Sequence, residues 1–374
     1  MADPKAQQQR FGYIDWLRGL VCVMMFIVHG YDSWLNDASR GALFYRLSQE
    51  LGTIPAPMFL FLAGVSVSLV TTKLRQKSVP AADIARKSIA RGAEILVFGY
   101  LFRLQEFLLG LPKSPWQDLL RVDILTTIGL SIIFMSIVCW LAQSRRSVVI
   151  VAIVLTATVA LATPPLYTTW RPRWLPWFLE SYVNGVHTQD APQAWLFPVF
   201  PWTAFAFAGL AVGFILFSDW GRTNVAKAVT LTGGVGVVLF AASTWIDAYA
   251  PQIYATYDYW HTSPNFFLAR LGILMAMMPM GYAWCRWGPG EVGFSPLIQL
   301  GKTSLLVYWV HIIFVYGRLS IFPKRMQTVP VATLGILIVT LAMLALSIVR
   351  TRSEGRGPQI RAWFRQKMGI AART

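Results

Sequence analysis

The sequence predicts an all-α fold: a polytopic transmembrane helix bundle of about ten spans, with both termini in the cytoplasm. Three observations predict it. Of the 374 residues, 55% are hydrophobic and only 13% are charged, about half the charged share of a soluble globular chain, which lies near 25%. The mean hydropathy is +0.51. Apolar runs that meet the roughly 20 residues a helix needs to cross a bilayer core recur along the whole chain. The formal net charge of +16 would suit nucleic acid only on a soluble basic face. This composition offers no such face, so the lipid bilayer is the expected partner and nucleic acid is not.

In chain order the runs fall at 14–32, 55–72, 92–111, 122–142, 147–163, 196–217, 228–247, 265–285, 301–317 and 330–349. The fifth and ninth are short. The stretch 164–195 carries Trp170, Trp174, Trp177 and several prolines, which suits an interfacial loop. A re-entrant piece there would make an eleventh span. Residues 1–349 read as a single transmembrane domain and 350–374 as a basic cytoplasmic tail, in which Trp363 and Phe364 suit contact with an anionic leaflet.

The connections set the topology. Most of the 33 lysines and arginines fall on one set of alternate loops. They include Lys5 and Arg10, six within 73–91, Arg145 and Arg146, Arg222 and Lys227, and the tail. By the positive-inside rule this set faces the cytoplasm. The first run contains Asp15 and Arg18 and lacks a small-x-small cleavage site, so no secretory signal is expected. Cys22, Cys139 and Cys285 lie in apolar runs without a CxxC or metal-ligand spacing, so neither a disulfide nor a metal site is expected.

Ionisable residues inside the spans nominate the site, because a charge near the bilayer centre costs at least ~2.5 kcal/mol. In the first span Asp15 and Arg18 are three residues apart and can pair on one helix face. His29 follows Arg18 by eleven residues, close to three turns and about 16 Å along the axis. One stripe thus carries Asp15, Arg18 and His29 across most of the membrane, and Asp32, three further on, is placed to orient the imidazole. In the ninth span Lys302 enters from the cytoplasmic side, and Ser304, Tyr308 and His311 recur at spacings of four and three, forming a second polar stripe. Glu94, Arg103, Glu106 and Arg270 are further intrusions, with Arg103 and Glu106 spaced for local pairing or for an acceptor site. His187 and His261 read as loop residues. No P-loop, GxGxxG, HExxH or GxSxG motif is present.

The pattern of Arg18, ten residues and His29 resembles the signature of membrane acyltransferases of the acyltransferase-3 type. The wider chain is more similar to the heparan-α-glucosaminide N-acetyltransferase catalytic-domain family in its bacterial form. The matching pieces are Tyr13 to Leu20 with His29, Ala56 to Gly64, Val122 to Leu125 with Ile128 to Leu130, Phe200 to Trp202 with Gly209, and Leu300 to Leu305 through Tyr308 to His311. The resemblance implies a ten- or eleven-helix bundle in the inner membrane that moves an acyl group, acetyl by default, from cytoplasmic acetyl-CoA to a sugar-type acceptor across the bilayer. The lysosomal member keeps its catalytic histidine in the loop after the first helix. Residues 33–54 contain no histidine here, so catalysis falls to His29.

A mechanism follows for these residues. His29, oriented by Asp32, acts as general base on an acceptor hydroxyl or amine, since histidine titrates near working pH. Arg18, paired with Asp15, and Lys302 with the 73–91 loop hold the phosphates of the polyanionic donor. Ser304 or Tyr308 supplies the oxyanion donor, and His311 completes the donor-binding stripe. The sequence leaves open whether His29 or His311 is the main catalytic histidine, whether oxygen or nitrogen is acylated, and whether the protein is a homo-oligomer. The rival reading is a transporter or flippase with an intramembrane His/Arg/Asp relay, which predicts paired broken helices in two repeats.

Overall fold

The computed structural model describes residues 11–185, 197–255, 258–260, 262–288 and 294–354. His187, His261, Lys5, Arg10 and the tail beyond 354 lie outside the described residues. Among the described residues the secondary structure is helical, with no strand and one isolated parallel bridge, Leu35 to Gln327. The chain forms two compact units, one from Met1–Gly52 with Trp287–Thr374, the other from Thr53–Arg286.

The first unit holds α1 (Gly12–Trp34) and α2 (Leu43–Gly52) from the start of the chain. The second holds α3 (Pro55–Gln76), α4 (Ala81–Gly110), α5 (Ile124–Leu141), α6 (Arg145–Thr168), α7 (Trp177–Asn184), α8 (Val199–Leu216), α9 (Asp219–Thr223), α10 (Val225–Tyr249) and α11 (Pro264–Trp287). The first unit resumes with α12 (Pro296–Lys302), α13 (Ser304–Val315) and α14 (Val329–Glu354).

Among the described residues, eight helices are long and apolar enough to cross a membrane, or nine if α12 and α13 count as one bent span. The expected third span coincides with α4, whose 30 residues would reach about 45 Å at 1.5 Å each. Length is therefore not its limit. Arg91, Glu94, Arg103 and Glu106 dilute its apolar character. Arg91 meets Glu94 at 2.6 Å, and Arg103 pairs with Asp123 at 3.4 Å rather than with Glu106 as its nearest acidic neighbour in sequence.

The ninth expected span is not a continuous helix. α12 and α13 meet at Thr303 with a 92° bend. A polar knot holds this break. Gln299 Nε2 donates to the Ser347 carbonyl and hydroxyl at 2.9 Å and to Thr351 Oγ1 at 3.0 Å, and Thr303 and Ser347 hydroxyls meet at 2.6 Å. α12 itself starts on a proline with Ser295 as its cap, the arrangement that leaves fewest orphan donors at a helix start.

α12 lies on α1 through two glycines. A Cβ at Gly19 would collide with the Leu297 carbonyl, and one at Gly301 with the Asp15 carbonyl. This backbone-to-backbone approach, which only small residues permit, fixes the register of α1 against the broken span. At the other end of α1, the loop after α13 is sewn to it. Arg325 N donates to Ser33 O at 2.9 Å, Gln327 N to Trp34 O at 2.8 Å and Asn36 N to Gln327 O at 2.9 Å, while Ser33 Oγ reaches Val315 O at 2.7 Å. Trp34 is fully buried, with its indole N–H on Ser320 Oγ at 2.9 Å.

Within the second unit, Gly64 and Gly209 make the same kind of close approach between α3 and α8. The basic helix ends expected on one side are tied together. Arg75 donates to the Cys139 carbonyl at 2.6 Å and the Ala142 carbonyl at 3.4 Å, closing the end of α5. Arg222 bonds Gln76 at 2.9 Å, and Arg145 approaches Asp219 at 3.7 Å.

Candidate functional site

The candidate site lies in the first unit. His29, near the end of α1, is half-buried, and His311 on α13 is fully buried. The two packing devices at the ends of α1 set the height of α13 beside it and so bring these rings together. His29 Nδ1 lies 2.9 Å from His311 Nε2, and the rings are parallel to within 10°. His311 Nδ1 lies 3.0 Å from the Val307 carbonyl, one turn back on its own helix. Phe26 and Tyr308 pack against the His311 ring at centroid distances of 4.9 and 5.8 Å.

Asp32 is close to this pair but does not orient His29 as expected. Its carboxylate accepts from Tyr316 Oη at 2.8 Å and approaches Arg40 Nη1 at 3.6 Å. One helical turn separates Asp32 from His29, and Tyr316 fills the space beside them, its ring edge-on to the His29 imidazole at 5.2 Å. The hydrogen-bond partner of His29 Nδ1 is thus His311, and Tyr316 contacts both Asp32 and the imidazole. Arg40 locks the turn after α1. It donates to the carbonyls of Asp32 and, at 3.2 Å, Leu35, bonds Tyr45 Oη at 2.9 Å and approaches Asp37 at 3.5 Å.

Asp15 and Arg18 pair as their spacing predicts, at 3.0 Å and with both side chains about a quarter to a third exposed. They sit at the opposite end of α1 from His29, beside Gly301. Lys302 closes α12 and is exposed, whereas Ser304 opens α13 and is half-buried. The bend between them separates Lys302 from the stripe of Ser304, Tyr308 and His311, which α13 carries on one helix. Two residues of the site escaped the sequence reading. Arg40 lies in the loop after α1, outside the polar stripes, and Tyr316, five residues past His311, lies just beyond the end of α13. The recurrence of aromatics at Tyr308 and Tyr316 around His311 was the available signal.

Among the described residues no three His, Cys, Asp or Glu side chains gather in a metal-binding group. Of the other intrusions, Arg103 and Asp123 form a buried pair in the second unit, with side chains 10% and 11% exposed. Asp123 also caps α5, in a capping box with Thr126. Glu180 on α7 is fully buried, and neither carboxylate oxygen has a hydrogen-bond partner among the described residues.

Comparison with curated proteins gives no match. The family model described as heparan-alpha-glucosaminide N-acetyltransferase, catalytic, matches residues 10–242. That range includes His29, Asp32, Arg40 and the Asp15–Arg18 pair and stops short of His311 and Tyr316. Since the match takes in more than half of the chain, the protein belongs to the heparan-α-glucosaminide N-acetyltransferase catalytic family and is a transmembrane acetyltransferase by membership.

Proposed function

We propose that this protein transfers an acetyl group from acetyl-CoA to a hydroxyl or amine of a sugar-type acceptor, with His29 as the group that takes the acceptor's proton. The observation that carries the reading is the His29–His311 pair: a half-buried imidazole on α1, tethered at Nδ1 by a fully buried partner, in a chain of an acetyltransferase family. A tethered histidine is a general base already in place, and such positioned bases contribute about 10²–10⁴-fold.

The remaining site residues divide along α1. Arg18, fixed by Asp15, and Lys302 stand at the end of the unit where α12 crosses α1, and we assign them to the donor's phosphates. Ser304 and Tyr308, between that end and His311 on α13, are assigned to the thioester carbonyl and the pantetheine arm. The basic residues at the ends of α3, α6 and α9 support a cytoplasmic placement of that side of the second unit, and the positive-inside reading of the sequence places both termini in the cytoplasm of an inner-membrane protein. In this reading residues 1–349 act as one transmembrane acyltransferase domain, with 350–374 as its cytoplasmic tail.

One observation favours the transporter reading: a span broken by 92°, as transporters use around their substrate sites. It is the only bent pair among the described residues, whereas inverted repeats call for two. The test is direct. Purified protein in nanodiscs, given [14C]acetyl-CoA, moves label to an amino- or hydroxy-sugar, and the His29→Ala variant loses about 100-fold or more of the rate. Absence of both transfer and acetyl-CoA hydrolysis in the wild type, or transfer retained in the variant, overturns the assignment.

A further inference from the structure

The Val307 carbonyl, His311 and His29 form a chain of hydrogen bonds that has one consistent direction. A carbonyl oxygen only accepts, so the 3.0 Å contact to His311 Nδ1 requires the proton on that nitrogen. Among the described residues the groups facing His311 are this carbonyl, the Tyr308 backbone and the rings of Phe26, His29 and Tyr308. No carboxylate is among them, and a buried charge without a partner is costly, so the neutral ring fits the site. A neutral imidazole with its proton on Nδ1 has a lone pair on Nε2. The group 2.9 Å from that lone pair is His29 Nδ1, which must therefore donate. His29 then carries its proton on Nδ1, and its free lone pair is on Nε2.

We infer that His311 is a positioning residue that fixes the tautomer of His29 and so makes His29 Nε2 the atom that receives the acceptor's proton. This inference rests on the role of His29 proposed above and moves His311 from donor binding to control of the base. The acceptor's oxygen or nitrogen uses its lone pair to form the bond to the thioester carbonyl carbon, and the carbonyl π pair moves onto oxygen. The acceptor's O–H or N–H proton goes to His29 Nε2. When the carbonyl reforms, the carbon–sulfur bond breaks with its pair on sulfur, and the proton held by His29 passes to that sulfur to give the free thiol. While His29 holds the extra proton, its Nδ1–H bond to His311 becomes charge-assisted, and such bonds are roughly twice as strong as neutral ones. His311 therefore acts most strongly at the point where charge develops.

The chain contains four histidines, so [15N]histidine-labelled protein in nanodiscs gives a spectrum whose His29 and His311 signals are assigned by their loss in His29→Gln and His311→Gln. The expected spectrum shows protonated Nδ1 and unprotonated Nε2 on both rings. In kinetics, His311→Gln keeps an amide oxygen to accept from His29 and an N–H for the Val307 carbonyl, and its kcat falls by no more than about tenfold, whereas His311→Leu, with no acceptor, loses about 100-fold or more in kcat with little change in KM for acetyl-CoA. A His29 proton on Nε2, or a His311→Leu variant with the wild-type kcat, overturns the inference. Transfer retained in His29→Gln instead overturns the assigned role of His29, and the tautomers measured by NMR stand apart from that result.

Discussion

Tyr316 donates a hydrogen bond of 2.8 Å to the Asp32 carboxylate across 284 positions of sequence. The same tyrosine sets its ring edge-on against His29. Tyr316 thus touches both Asp32 and the candidate base, and Arg40 approaches the other oxygen of the Asp32 carboxylate at 3.6 Å. His311 and Tyr316 both contact His29, so the imidazole is held by two residues from the second half of the chain.

The Tyr316 hydroxyl can be removed without its ring. A hydrogen bond to a charged group contributes about 1.5–3 kcal/mol. Tyr316→Phe is expected to lower kcat by about 10- to 100-fold if that bond is fully used in the transition state, with KM for acetyl-CoA unchanged. Steady-state kinetics with labelled acetyl-CoA checks this, and an unaltered kcat would show that Asp32 does not work through Tyr316.

Gly301 and Gly19 hold α12 against α1. Gly301→Ala places a methyl group on the Asp15 carbonyl, and overpacking of this kind costs about 1–3 kcal/mol. The matched control is Gly41→Ala, where a methyl group meets nothing within 4 Å. Thermal unfolding in detergent should show a lowered Tm for the first and little change for the second. Equal Tm values would mean that the two helices are free to separate.

The Arg103–Asp123 pair is buried, so loss of one partner leaves a charge uncompensated at about 3–5 kcal/mol. Asp123→Asn and Asp123→Ala both remove the charge, but asparagine still caps α5. A cap contributes about 1 kcal/mol, so the alanine variant should be the less stable by that amount. Chemical denaturation of the two variants gives the difference. Equal stability would remove the capping role, and wild-type stability in both would remove the ion pair.

Glu180 is predicted to cost stability. Its two carboxylate oxygens are buried without a partner among the described residues, and an unsatisfied buried polar group carries a penalty of about 1–3 kcal/mol, more when charged. Glu180→Met keeps the length and removes the polar atoms. A raised Tm is the expected outcome, and a lowered one would show that the carboxylate supports the fold.

The sequence by itself determined the class of the molecule and the polar stripes. Bilayer-length apolar runs and the placement of basic residues need no tertiary information, because they answer to the solvent around each helix. The pairing of Asp15 with Arg18 and the alignment of His29 with them follow from the 3.6-residue period of one helix, as does the grouping of Ser304, Tyr308 and His311. The tertiary structure alone decided which helices meet and at what height. Thr303 breaks the ninth run because Gln299, Ser347 and Thr351 satisfy the polar groups of the bend. His29 faces His311, 282 positions away, because Gly19 and Gly301 set one end of α1 and the Ser33–Gln327 segment the other. Asp32 turned to Tyr316 and Arg40 at that end of α1, and Arg103 to Asp123 where α4 meets the start of α5 in the second unit. Periodicity is a local property of one helix, whereas the partner of a buried polar group is whatever the packed neighbour presents, and that is fixed only when backbones close on each other.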